Sequence, residues 1–258
     1  MKFLKPVLAV VAMVVFSTSA FAQTQIQIDF TPTGPTGFSP VSAVFHDGSF
    51  DSFELGDNLS GTGLELLAET GDNSLFLGGA PASANTGTNG ANLGPGVPTS
   101  FIVDVNNANT QFNFASMVLF SNDWFVGNGE SIDVSSLIDG GVGAELVFNL
   151  DKVYDAGTET EDYTGVGGSG LFPFSTSGSL GVDITDGAVT VLDRSTNPYL
   201  DFTNTEGLDL AGFDPTSLDA FTAESLGTVT LTVVGVPEPS SLFAVTIAAL
   251  GLVSRRRR

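Results

Sequence analysis

Apolar and polar positions alternate with a period of two along much of the chain. Ile26, Ile28 and Phe30 are separated by polar residues, and the rhythm recurs at Val41, Ala43 and Phe45. It returns at Phe101, Val103 and Val105 and again at Phe114, Ser116, Val118 and Phe120. Segments 146–150, 189–192 and 229–234 add short runs of the same kind, and Gly, Pro, Asn and Asp bound them. Alternation in short segments between turn-forming residues predicts half-buried strands. One segment alone has helical spacing: Leu64, Leu67 and Ala68, with Gly71 placed to end the helix. Many strands with one short helix predict an all-β fold, an antiparallel β-sandwich. Segment 78–98 is rich in Gly, Ala, Asn, Thr and Pro, so it is expected to bury no apolar area and to be a mobile loop or insertion. Segment 165–170 reads as a second flexible connector.

Both ends depart from this rhythm. The N-terminus carries Lys2 and Lys5, an apolar run over 7–16 and then Ala20-Phe21-Ala22. That tripartite order predicts a secretory signal peptide over 1–22, cleaved between Ala22 and Gln23. The C-terminus carries Pro237-Glu238-Pro239, an apolar run over 240–253 and Arg255-Arg256-Arg257-Arg258. A helix can start only after Pro239. Fourteen residues of helix would then reach about 21 Å, short of a bilayer core of about 30 Å, and the arginines would hold that end in the cytoplasm. This order of features resembles a PEP-CTERM sorting signal of Gram-negative bacteria. The resemblance implies that an exosortase-type processing enzyme cuts at or near Pro237, Glu238 and Pro239 after export. It also implies that the tail meets the membrane only transiently, and that the product is displayed on, or released from, the outer cell surface. The expected organisation is a signal peptide over 1–22, one β-sandwich domain over 23–235 and a sorting signal over 236–258.

Composition removes several classes of function. The 258 residues include no Cys and one His, which excludes a disulfide framework, a thiol nucleophile, a Cys-based zinc site and a multi-His metal site. Between residues 23 and 235, 28 carboxylates face two bases, Lys152 and Arg194, a formal charge of −26. Binding to nucleic acid or anionic lipid needs Lys and Arg and is not expected. Self-repulsion of this size favours bound counter-ions, and divalent cations are the natural choice outside the cell.

Three motifs carry more than strand rhythm. The first contains Ser39-Pro40-Val41, then Val44-Phe45-His46-Asp47-Gly48-Ser49-Phe50-Asp51-Ser52-Phe53, then Gly63-Leu64-Glu65-Leu66-Leu67-Ala68-Glu69-Thr70-Gly71-Asp72. The second joins Ala115-Ser116-Met117-Val118 to Ser121-Asn122-Asp123-Trp124-Phe125-Val126-Gly127, and the third is Tyr154-Asp155-Ala156-Gly157-Thr158-Glu159. In this order they resemble the spondin N-terminal domain, closely over about 25–165 and loosely over the rest of the body. The resemblance implies a C2-like, spondin-type sandwich that holds calcium in loops at one end, with Asp123, Asp155 and Glu159 as metal ligands. Asn122 stands where the family has Pro, and Glu159 where it has Asp. The residue chemistry agrees in kind, since Ca²⁺ takes oxygen ligands from carboxylates, carbonyls and water and Gly157 lets the backbone bend between flanking acids. The spacing is not that of an EF-hand.

His46 neighbours Asp47 and Ser49, yet a triad is defined by geometry and no G-x-S-x-G elbow occurs. His46 is therefore read as a packing or hydrogen-bonding residue, and no catalytic residue is assigned. Trp124, the only Trp, is read as packing beside the metal loop. The expected function is a non-catalytic, calcium-binding adhesion or matrix-interaction module, with a polysaccharide or cell-surface protein as partner. The alternatives are an extracellular hydrolase acting on exopolysaccharide and a purely structural matrix protein.

Overall fold

Strand β1 (Gln23–Pro32) lies at the heart of an antiparallel sheet with β4 (Thr99–Asn106), β8 (Glu145–Asn149) and β11 (Gly227–Gly235), in the order β4-β1-β11-β8. The computed structural model describes residues 23–33, 36–119, 121, 123–159, 183–192 and 225–235. The expected signal peptide with Ala22, the sorting motif Pro237, Glu238 and Pro239, segment 165–170, Phe120, Asn122 and Arg194 lie outside the described residues.

The second sheet is formed by β2 (Ser42–His46), β3 (Asn85–Thr88), β5 (Gln111–Met117), β6 (Trp124–Gly127), β9 (Tyr154–Asp155) and β10 (Thr190–Val191). They run in the order β10-β9-β6-β5-β2-β3, and β7 (Ile132–Asp133) pairs with the start of β5. All pairings are antiparallel, and the fold is an all-β sandwich. Period-two alternation decides what fills it. Ile26, Ile28 and Phe30 of β1 meet Phe45 and Phe112 of the facing sheet in one buried cluster, while Gln25 and Thr31 stay exposed.

The expectation of half-buried strands fails in the second sheet. Every residue of β2 is buried, and so is β5 from Phe112 to Met117. Phe45 and Phe112 face the first sheet, whereas Val44, Ala115 and Met117 join a second cluster with helix α1 (Gly63–Thr70). A strand covered on both faces loses its polar phase.

Helix α1 forms where the spacing predicts it. Thr62 caps it by accepting from Glu65 N at 3.2 Å, Leu64, Leu67 and Ala68 are buried, and Gly71 ends it. Gly71 has φ 74°, and a Cβ there would lie 2.8 Å from Ser39 Cβ, so only glycine closes this turn. Two further helices, α2 (Ser74–Gly78) and α3 (Ser135–Gly140), were not expected. With five and six residues they are too short for a helical period to register.

Segment 78–98 is not the loop its composition suggests. It contains β3, which pairs with β2 from Ser42↔Thr88 to Phe45↔Asn85. Leu93 is 5% exposed and exchanges backbone hydrogen bonds of 2.7 and 2.9 Å with Phe38. Amide side chains do the rest: Asn85 Oδ1 accepts from Asn106 N at 2.7 Å, and Asn89 Oδ1 accepts from Val41 N at 2.8 Å. Polar groups dock the segment where apolar area is scarce. Truncating the docked side chain, Leu93→Ala, is expected to lower stability by about 2–4 kcal/mol in urea unfolding; a variant as stable as the parent would return the segment to a surface loop.

Candidate functional site

Two strand ends bring distant acids together. Asp123 precedes β6, and antiparallel pairing sets Trp124 opposite Asp155 on β9. The turn before Asp123 is closed by Ser121, whose Oγ donates to Val118 O at 2.6 Å and accepts from Trp124 N at 3.1 Å. After β9 the chain folds back over Asp123. Asp123 Oδ2 accepts from Thr158 N at 2.9 Å and from Glu159 N at 3.1 Å, and Ala156 N donates to Asp123 O. Asp155 Oδ1 accepts from Gly157 N at 2.7 Å. Gly157 has φ 66°, and a Cβ there would lie 2.7 Å from Ala188 O, so the bend requires glycine.

The corner is acidic and buried. Asp123 is fully buried, and its Oδ1 has no hydrogen-bond partner. Burial, the neighbouring Asp155 and, more weakly, Glu69 push the Asp123 carboxyl from its ordinary 3.8 up to about 7, against the opposing Glu159 and Thr158 N–H donors. Burial also raises Asp155, which the Gly157 N–H partly offsets. Glu69 of α1 is raised by burial and by Glu65 and Asp183, and a hydrogen bond with the Thr158 side chain counters this.

Of the expected ligands, the structure thus sets Asp123, just before β6, near Asp155 on the adjacent strand β9, and ties Glu159 to Asp123 through the Glu159 backbone N–H. Glu159 is 2% exposed, and its backbone pairs with that of Asp183 in an isolated antiparallel bridge. Among the described residues, no group of three or more acids or imidazoles is drawn into a ready metal cage. Glu69 and Asp183 are additions that sequence reasoning missed. Nothing local marks Glu69; its tie to this corner runs through Thr158, a residue 89 positions away. Trp124 is 1% exposed and packs in the cluster between the sheets. His46 is buried, and its Nδ1 accepts from Gly48 N and Phe50 N, which leaves Nε2 to donate to Asn113 Oδ1 at 2.7 Å. The Ser49 hydroxyl bonds Asp47.

Residues 235–258 match the PEP-CTERM protein-sorting motif. The motif is a substrate signal for exosortase-type processing, so the chain is exported and sorted to the cell surface of a bacterium. The match covers the tail alone, and no family match supports the spondin resemblance of the body. None of the curated proteins compared matches the chain.

A buried carboxyl with a raised pKa opposes folding once it ionises. The unfolded chain releases this proton near pH 4, whereas the folded chain holds it until about pH 7. Without metal, stability should therefore fall across that window and level off above it. Asp123→Asn removes the titration. In chelator at about pH 8 it is expected to be more stable than the parent, by up to about 4 kcal/mol, with a shallower decline between about pH 4 and 7. Parallel melting-temperature profiles for parent and variant would contradict the burial of an ionisable carboxyl here.

Proposed function

We propose that the chain is an exported, non-catalytic binding module of spondin type, shown on or released from the outer surface of a Gram-negative bacterium. In this reading its acidic loop corner takes up calcium and its partner is a matrix polysaccharide or a cell-surface protein. The observation that carries the reading is the orphaned Oδ1 of Asp123, a fully buried acceptor beside further carboxylates. A buried carboxylate without a counter-charge is costly, and no base is among the influences acting on Asp123.

Calcium suits the residues present, since it accepts six to eight oxygens and takes carbonyls and water besides carboxylates. Asp123 and Asp155 would hold the ion, with Glu159 and Glu69 as further candidates. Bound there, calcium would supply the positive charge that these acids call for. The chain's own part is to hold the 155–159 loop against β6 through the N–H groups of Thr158 and Glu159. A loop ordered before contact loses less entropy on binding a partner.

The test is the melting temperature of the purified protein in chelator and in millimolar calcium, with Asp155→Asn alongside. Filling the site to about 100 times its dissociation constant stabilises by roughly 2.7 kcal/mol, a rise of several degrees for a chain of this size. The rise is expected in the parent and should vanish in the variant. No rise in the parent would end the calcium reading.

A further inference from the structure

Loops 48–55 and 127–131 face each other across a cleft of about 800 Å³. Its two walls are tied together from beneath. Asn113 is fully buried, and its Nδ2 donates to Asn128 O at 2.9 Å, while Ser52 Oγ donates to the same carbonyl at 2.8 Å. His46 holds Asn113 from the other side and receives the backbone N–H groups of Gly48 and Phe50. The cleft is thus formed before any ligand arrives.

The neutral polar side chains of the walls are already committed. Asn128 Nδ2 donates to Phe112 O and Glu130 O, and its Oδ1 accepts from Phe114 N. Ser131 Oγ donates to Asn113 Oδ1 at 2.7 Å. What remains for a ligand is the exposed carboxylates of Asp51, Glu54 and Glu130, the half-buried ring of Phe50 and the phenol of Tyr154. Tyr154 is 7% exposed, and its ring is stacked on Phe125 with centroids 5.4 Å apart. Its hydroxyl is not among the buried unpartnered atoms, and the residue lines the cleft. A phenol whose ring is packed while its hydroxyl meets the cleft can exchange water for a ligand's donor.

We propose that this cleft binds a ligand bearing primary ammonium groups, whether a free aliphatic polyamine or the unacetylated hexosamine units of a polysaccharide. Carboxylates beside aromatic rings attract organic cations, and the phenol oxygen can accept from an ammonium. Lys152, the only Lys or Arg among the described residues, lines the same cleft and opposes a second ammonium at that end. The proposal rests on the binding-module reading for the existence of a ligand, and it is independent of calcium.

The experiment titrates the purified full-length protein with spermidine, a glucosamine hexamer, its fully N-acetylated counterpart and oligolysine, and records the calcium melting shift on the same samples. Spermidine or the glucosamine hexamer should bind, the acetylated hexamer should not, and added salt should weaken binding. Glu130→Gln and Tyr154→Phe should each lower affinity about three- to fivefold, and Lys152→Gln should raise it by a similar factor. Tighter spermidine binding assigns a free polyamine, and tighter hexamer binding assigns the polysaccharide. Equal binding of the acetylated hexamer, indifference to all three variants, or binding of oligolysine alone would overturn the proposal. A calcium shift without amine binding would overturn it while sparing the calcium reading, and amine binding without a calcium shift would do the reverse.

Discussion

The burial of Asp123 beneath the 155–159 loop is the constraint on which the rest of this molecule's chemistry depends. A carboxyl shut off from water is tolerated when hydrogen bonds or charge compensate it. Here two backbone N–H groups serve one oxygen and none serves the other. The loop can deliver those N–H groups because Gly157 adopts a left-handed backbone and its missing side chain lets residue 188 approach. The hairpin carrying Asp123 is closed by Ser121, so the acid cannot swing out without breaking that turn. Both ends of the arrangement are fixed by backbone geometry, and the unresolved charge between them is what a ligand can act upon.

Strand β9 links this corner to the cleft. Neighbouring residues on a strand point to opposite faces, so the two residues of β9 serve different neighbourhoods. Tyr154 packs with Phe53 and Phe125 on the helix-covered side, while Asp155 belongs to the acidic corner. The helices α1 and α2 make this division possible. By covering the second sheet they turn its outer face into a second core, which lets polar groups such as Asn113 and His46 be buried and used as braces. A sheet with one wet face could not have fixed both cleft walls in this way.

What the chain reveals before folding follows from locality. The strands with an outer face in water, β1 and β11, show their alternation openly, and α1 shows its apolar stripe and glycine stop. Strands β2 and β5 conceal their true environment, because a cover supplied by residues 64–76 is invisible from residues 42–46 or 111–117. Segment 78–98 misleads for another reason: amide side chains substitute for apolar contact, and composition measures only the latter. At the acidic corner, Asp123 and Asp155 were legible through their motifs. Glu69 was not, because its place there comes from a tertiary bond with Thr158. The cleft was equally hidden, since its two loop walls come from separate stretches joined through one buried asparagine.

The position of β11 bears on how the first sheet is completed. This strand is central in its sheet, hydrogen-bonded to β1 on one side and β8 on the other, with Gln25 registered against Gly235. In chain order β11 comes last, so β1 and β8 both precede the strand that joins them. The strand that completes the sheet is also the one that runs directly into the sorting motif. The first sheet is therefore completed only when the segment next to the sorting motif is available to pair.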